Sequence, residues 1–288
     1  MNTGDRERIT FLVANYNHAE YIGDCIASIK AQADTRWLAI VCDDGSTDHS
    51  PETIRSLIDE RFQFVECKVN RGYIFALRKL IERATTDIVA IVDADDAISP
   101  ETTGSVLDAF ATNPHASLVY SRFAVCDSQL NAIEEHGQPV PKGGTAIVDG
   151  PVGHIKSFRK SAYEKTAGLD DEFIYAEDRD LIYKLEEVGE LEFVNKVLYR
   201  YRKLPDSQSH DPDKREIGVR NTRRARRAAL SRRDIGELYR MAAEWMILWD
   251  YVESSYRFPG PVRACASVLA GKAATIWRRG DMLARAGV

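Results

Sequence analysis

Two apolar runs end abruptly in acids: Val41-Cys42-Asp43-Asp44-Gly45-Ser46 and Ile91-Val92-Asp93-Ala94-Asp95-Asp96. Each run reads as a buried β-strand, which puts the carboxylates at strand C-terminal ends. An open α/β sheet binds its ligands in the crevice beyond those ends. Two acidic clusters on one rim repel each other unless something positive lies between them. A divalent cation bound to the phosphates of a nucleotide is the simplest such group. A third acidic run, Glu177-Asp178-Arg179-Asp180, has a purely structural explanation, because acids stabilise a helix N-terminus through the macrodipole.

The elements that must carry these residues follow from period and punctuation. Strands are expected at Ile9–Ala14, Trp37–Cys42, Phe62–Val69, Ile88–Val92 and Ser117–Val125. Helices alternate with them: about Ala19 to Gln32 with Asn17 as cap, a segment from Ser50 with Pro51 at the first position, Tyr73–Ala84, and Pro100 to Thr112. Strands alternating with helices of these lengths indicate α/β architecture, a mostly parallel sheet covered on both faces. The glycine fingerprint of a dinucleotide site is missing after the first strand, where Asn15-Tyr16-Asn17-His18 stands. Residues 131–152 read as a loop across the ligand face. Ala176–Gly189 reads as a helix, followed by two short strands at Leu191–Val194 and Val197–Tyr201.

The chain has 288 residues, 44% hydrophobic and 29% charged, and a net charge of −5. That composition fits a globular protein and excludes a disordered one. No stretch reaches ~20 apolar residues, and Met1 to Arg8 lacks the apolar core of a signal peptide, so a cytoplasmic protein is expected. Five dispersed cysteines (Cys25, Cys42, Cys67, Cys126, Cys265) form neither a zinc pattern nor a disulfide framework. From Asp211 onward, 16 basic residues face 9 acidic ones, a net of +7, which leaves −12 for residues 1–210. Eight arginines lie from Arg215 to Arg233. Ile235, Leu238, Ala242, Trp245, Trp249, Val252 and Tyr256 then recur at spacings of three and four, an amphipathic helix broken at Phe258-Pro259-Gly260-Pro261. A last helix is expected to carry Val262, Cys265, Leu269 and Ile276 on one side. A basic amphipathic region of this kind suits an anionic membrane surface or a homo-oligomer contact.

Residues 1–210 resemble the inverting family 2 glycosyltransferases of GT-A fold, motif by motif and in order. Val13-Ala14-Asn15-Tyr16-Asn17 resembles the first-strand motif, with Ala14 where proline is common. Asp43 to Asp48, Asn70-Arg71-Gly72, and Asp93-Ala94-Asp95-Asp96 with Pro100 resemble the next three. Gly168 to Phe173, Glu177-Asp178-Arg179-Asp180-Leu181 and Tyr199-Arg200-Tyr201-Arg202 with Ser207-Gln208-Ser209 resemble the last. The resemblance implies a GT-A catalytic domain over 1–210 and leaves 211–288 as a basic helical extension.

The resemblance further implies a metal-dependent enzyme moving a sugar from a nucleoside-diphosphate sugar, a UDP-sugar by preference, to a hydroxyl of a glycan or lipid-linked acceptor. Asp95 would hold Mn2+ or Mg2+. Ala14, Asn15, Tyr16, Asp44, Arg71, Asp93 and Ala94 would bind the nucleotide sugar, with Asp44 reading the base. Asp178 would be the general base, its pKa raised by Glu177 and Asp180. His154, Glu177 and Arg202 would line the acceptor side, and His210 would approach the phosphates. Such a protein works on the inner face of the membrane in polysaccharide synthesis and binds no nucleic acid. A nucleotidyltransferase is the rival enzyme class, disfavoured because Asn15-Tyr16-Asn17-His18 is not a glycine-rich basic loop. A non-catalytic nucleotide-sugar-binding protein is the other rival, opposed by the intact Asp95 and Asp178.

Overall fold

The computed structural model describes residues 8–141, 144–147, 152–204, 211–233 and 244. Four strands, β1 (Ile9–Asn15), β2 (Trp37–Asp43), β3 (Phe62–Glu66) and β4 (Ile88–Asp93), alternate with α1 (Ile22–Lys30), α2 (Ser50–Leu57) and α3 (Tyr73–Arg83). Then come β5 (Ala97–Ile98), α4 (Thr102–Thr112), β6 (Ala116–Cys126), β7 (Ala132–His136) and β8 (Lys156–Arg159). The last elements are α5 (Lys160–Tyr163), a 3-10 turn (Asp171–Phe173), α6 (Glu177–Val188), β9 (Glu190–Arg202) and α7 (Pro212–Arg232).

The strands form one sheet in the order β3-β2-β1-β4-β8-β6-β9-β5, with β7 on the side of β6. β1 to β4 are mutually parallel, β8 lies antiparallel to both β4 and β6, and β9 is parallel to β6. Six strands therefore point one way and β5, β7 and β8 the other. Strand alternation divides the core. Phe11, Val13, Ala39, Val41, Ala90 and Val92 face α1 and α4, packing on Ile26, Ile29, Val106 and Phe110. Leu12, Ile40, Val89 and Ile91 face the other side, where Leu77 and Leu80 of α3 and Leu181 and Leu185 of α6 cover them. Both faces of the parallel half are thus buried, as its apolar runs required.

Several expectations need correction. Asn17 does not cap α1, which starts only at Ile22; its backbone is left-handed (φ 56°), and its Oδ1 accepts the Thr47 N–H at 2.8 Å instead. Ser50 does not cap α2 either: its own N–H donates to Asp48 Oδ1 at 2.9 Å. β3 ends at Glu66, three residues early. The expected loop over 131–152 contains β7, antiparallel to β6. The two short strands after α6 are one strand, β9, whose pairing slips between Val194 and Val197. The Asn195-Lys196 bulge there is what imitated a break. β5 and β8, short and outside the alternating pattern, were not foreseen.

In α7, Asp211 caps the start by accepting the Asp213 and Lys214 N–H groups, and Ala225, Ala229 and Leu230 are buried in the α3/α6-side core. Some arginines of this basic segment are spent on neighbouring acids. Arg224 pairs with Glu172 at 2.6 Å, Arg232 with Glu187 at 2.8 Å and Arg233 with Glu186 at 2.7 Å. The expected helix through Trp245, Trp249 and Tyr256, the break at Phe258 to Pro261, the last helix, Ser207 to Ser209 and His210 lie outside the described residues. No described helix is long and apolar enough to cross a membrane.

Candidate active site

Parallel register puts three strand ends on one line: Ala14 pairs with Cys42 on one side and Asp93 on the other, and Asn15 with Asp43. Asp43 is consumed locally. Its carboxylate accepts from Asn15 Nδ2 at 2.7 Å and from the Ser46 N–H and hydroxyl at 3.0 and 2.6 Å. Asp44, 3% exposed, uses Oδ2 to accept the N–H groups of Arg71 and Gly72 at 2.9 and 2.6 Å. Backbone and amide donors thus stabilise these two acids without a metal. Asp44 Oδ1 and Asn15 Oδ1 remain buried acceptors with no hydrogen-bond donor. A buried acceptor without a donor costs roughly 1–3 kcal/mol, so this rim is short of two donors. Tyr16, 41% exposed, stands beside them, and the Arg71 guanidinium lies 3.8 Å over the Phe75 ring.

Gly45 makes the arrangement possible. It is left-handed (φ 74°), and a Cβ there would sit 2.5 Å from the Val69 carbonyl carbon. Only glycine lets the β2 turn touch the β3 loop, so that Asp44 can reach the Arg71 and Gly72 amides.

The acids after β4 are tied from the far side. The Tyr73 hydroxyl donates to Asp93 Oδ1 at 2.9 Å, and the buried Tyr199 hydroxyl bonds Asp96 Oδ2 at 2.8 Å while accepting the Asp93 N–H at 3.1 Å. Arg202, 2% exposed, fixes the same turn. Its N–H donates to Asp96 Oδ1, its Nε to the Asp95 carbonyl and its guanidinium to Asp24 on α1, all at 2.7 Å, and to the Ser128 carbonyl. Burial first, then the negative charge of Asp93, push the Asp95 and Asp96 carboxyls up from the ordinary range. Asp95 alone of the three takes no side-chain hydrogen bond from the described residues. Among those residues no group of three or more His, Cys, Asp and Glu could hold a metal by themselves. One part-exposed carboxylate fits Mg2+ or Mn2+ that brings phosphate oxygens and water as its other ligands.

Opposite these acids, α6 begins with Glu177 and Asp178. The Lys156 ammonium lies 3.0 Å from Asp178 Oδ2. Burial would raise the Asp178 carboxyl, but Lys156 and then Arg179 outweigh it and hold it well below its usual range. That reverses the expected rise. Glu177 carries it instead: burial and then the neighbouring Asp178 charge push it up to about 7. Asp180 faces away, buried against Lys184 at 2.5 Å.

His154 is spent elsewhere. Its ring stacks on Tyr199 (centroids 4.3 Å, 17°) and meets Phe123 edge-on, and burial followed by Lys156 keeps it neutral. The Arg202 side chain is spent on the Asp95 and Ser128 carbonyls and on Asp24 among the described residues. The expected Ala14, Asn15, Tyr16, Asp44, Arg71, Asp93, Ala94 and Asp95 all fall at the C-terminal rim of β1, β2 and β4 or in the loops beyond it. Sequence reasoning missed Lys156, Tyr73 and the role of Tyr199. One signal was available for Lys156, a lone lysine between Ile155 and Phe158.

A mostly parallel α/β sheet with acids on its C-terminal rim and a separate acidic helix start defines a GT-A type transferase scaffold. Residues 10–167 match the family described as glycosyl transferase family 2, and the chain belongs to that family. A chondroitin synthase of Escherichia coli is 28% identical over 200 residues, which are 66% of this chain and 28% of that protein. A poly-beta-1,6-N-acetyl-D-glucosamine synthase of Staphylococcus aureus is 32% identical over 120 residues, 41% of this chain and 29% of that protein. The chain therefore spans under a third of the length of these relatives. Among solved structures, S. aureus TarS 1-349 in complex with UDP-GlcNAc superposes with TM-score 0.68 at 16% identity, covering 97% of this chain and 92% of that one. A mannosyltransferase of Pyrobaculum calidifontis, in complex with GDP-Man and Mn2+, has TM-score 0.52 at 17% identity, covering 99% and 76%. At such identities these two show the fold alone.

Proposed function

We propose that this glycosyltransferase is metal-dependent and inverting, and takes a UDP-linked hexose or N-acetylhexosamine to a hydroxyl of a glycan or lipid-linked acceptor. The observation that carries the reading is that Lys156, 3.0 Å from Asp178, and Tyr73, hydrogen-bonded to Asp93, each feel both the Asp93 and the Asp178 charge, which brings the start of α6 and the end of β4 into one site. Asp44 Oδ1, buried without a donor, would accept a base imide N–H, and Tyr16 would stack on that base. Asp95 would hold Mn2+ or Mg2+, which neutralises the departing diphosphate.

The remaining work falls to the chain. Asp93, fixed by Tyr73 and Tyr199, would position the ribose side of the donor. Asp178 would take the proton of the acceptor hydroxyl as that oxygen forms its bond to the anomeric carbon. The bond from that carbon to the diphosphate oxygen breaks, and the electron pair leaves with the diphosphate. One displacement from the opposite face inverts the centre. UDP-GlcNAc in the TarS complex and the N-acetylglucosamine polymer in a relative's name support an N-acetylhexosamine donor.

A thermal-shift panel of UDP, GDP, UDP-GlcNAc, UDP-glucose and UTP with Mn2+ tests the reading. UDP and one UDP-sugar are expected to raise the Tm, and EDTA to abolish the gain. A rise with UTP alone would favour a nucleotidyltransferase.

A further inference from the structure

We propose that Lys156 is the positioning residue of the proton acceptor: it selects Asp178 over the adjacent Glu177 as the acid that stays charged, and holds it facing the acids beyond β4. The inference rests on Asp178 being the base in the reading above, and it gives Lys156 a role that reading did not assign.

Strand direction explains how a lysine gets there. β8 runs against β4, so its first residue, not its last, lies at the ligand rim. Lys156 pairs with Ile91, two residues before Asp93. Ser157 and Phe158, which follow it, are buried and paired with both β4 and β6, so the backbone that carries Lys156 is anchored in the sheet. The Lys156 side chain is 14% exposed and its ammonium is 3.0 Å from Asp178 Oδ2, while the Asp178 side chain is 33% exposed. One end of the carboxylate is therefore anchored and the other remains open to an incoming hydroxyl.

Among the described residues, the charged and titratable groups that act on Asp178 and its neighbours come from four elements. From α6 come Glu177 and Arg179, from β4 Asp93, and from β8 and the segment before it Lys156 and His154. Tyr73 of α3 completes the set. His154 is neutral, and Tyr73 stays protonated because burial and then Asp93 push its hydroxyl well above the usual value. Among the described residues this sets three carboxylates, Asp93, Glu177 and Asp178, against two cations, Lys156 and Arg179. A bound diphosphate would add more negative charge. Neighbouring acids in such a field cannot all stay ionised. The one in contact with the ammonium keeps its charge, and the other takes the proton. Without Lys156, Glu177 and Asp178 would share one proton, and the base would be partly blocked at neutral pH.

The test uses the full chain with Lys156→Met, Lys156→Arg, Asp178→Asn and the double variant Lys156→Met/Asp178→Asn. UDP release from UDP-GlcNAc with Mn2+ is followed from pH 5.5 to 9. In the wild type the acid limb set by Asp178 lies below that window; in Lys156→Met it is expected to enter it, with kcat/KM about tenfold lower at pH 5.5 than on the plateau. Lys156→Arg restores the wild-type limb. Urea unfolding at pH 7 of the four-variant cycle must show coupling between positions 156 and 178, with Asp178→Asn partly relieving the loss in Lys156→Met. An unmoved acid limb, or no coupling, overturns the role of Lys156. If the wild type turns over no nucleotide sugar while the coupling persists, the donor reading fails and the charge selection at Asp178 stands.

Discussion

At the scale of single residues, the adjacent acids Glu177 and Asp178 have opposite fates because only one touches a cation. Asp178→Asn keeps the shape and removes the proposed proton acceptor. The expected outcome is loss of transfer by at least about 10³-fold with UDP binding unchanged, since positioned proton transfer contributes 10²–10⁴. Calorimetric titration of UDP beside a turnover assay checks it, and equal loss of both would remove Asp178 from the chemistry. Glu177 predicts a pH effect of definite sign. Its folded-state value is about 7 against an ordinary 4.5. Between those values the folded chain holds a proton that the unfolded chain has released. Stability from this group therefore falls as pH rises from about 4.5 to 7 and is flat above. Glu177→Gln should flatten that slope and make the protein about 1–3 kcal/mol more stable than wild type at pH 8. Urea titrations at pH 5 and pH 8 read it directly.

At the scale of elements, the turns matter more than the strands. Gly45 sits where β2 meets the β3 loop, with φ 74° and the Val69 carbonyl carbon 2.5 Å from where a Cβ would stand. Gly45→Ala should cost about 2–4 kcal/mol from backbone strain and the clash together, and should weaken UDP binding, because Asp44 would lose its Arg71 and Gly72 amides. A shift below 0.5 kcal/mol in urea would mean that the loop yields freely. The same contrast decides what was legible in the sequence. Runs such as Ile88-Val89-Ala90-Ile91-Val92 are buried on both faces, so their hydrophobicity announces them. Asp44, Asp93 and Asp95 stood out because acids ended those runs. β8 did not stand out. It has four residues, its Ser157 is buried, and it enters the sheet between β4 and β6 through pairing distant in sequence. Local pattern carries no trace of that pairing, and so Lys156 was invisible as a partner of Asp178. The tie formed by Arg202 was hidden for the same reason. Its partners Asp24, Asp95, Asp96 and Ser128 come from three separate parts of the chain.

At the scale of the whole molecule, α7 and α6 share one core. Ala225, Ala229 and Leu230 are buried with Leu181 and Leu185 of α6. Nearer the start of α7, Asn221 donates to the Ile174 carbonyl at 2.9 Å, and Gly218 lies so close to Tyr175 that a Cβ would come within 2.9 Å of its carbonyl oxygen. Tyr175, itself left-handed at φ 64°, stands two residues before Glu177. Packing of α7 therefore sets the backbone that delivers Glu177 and Asp178 to the site. Removing the Leu230 side chain, 2% exposed, should cost about 2–5 kcal/mol. It should do so in one transition with an unchanged urea m-value, because α7 unfolds with the sheet it covers. Turnover should fall at temperatures below the new midpoint, while UDP binding at the far β1–β2 rim persists. A second, earlier transition in Leu230→Ala, with turnover intact across it, would show α7 to be a separate folding unit and would detach it from the positioning of Asp178.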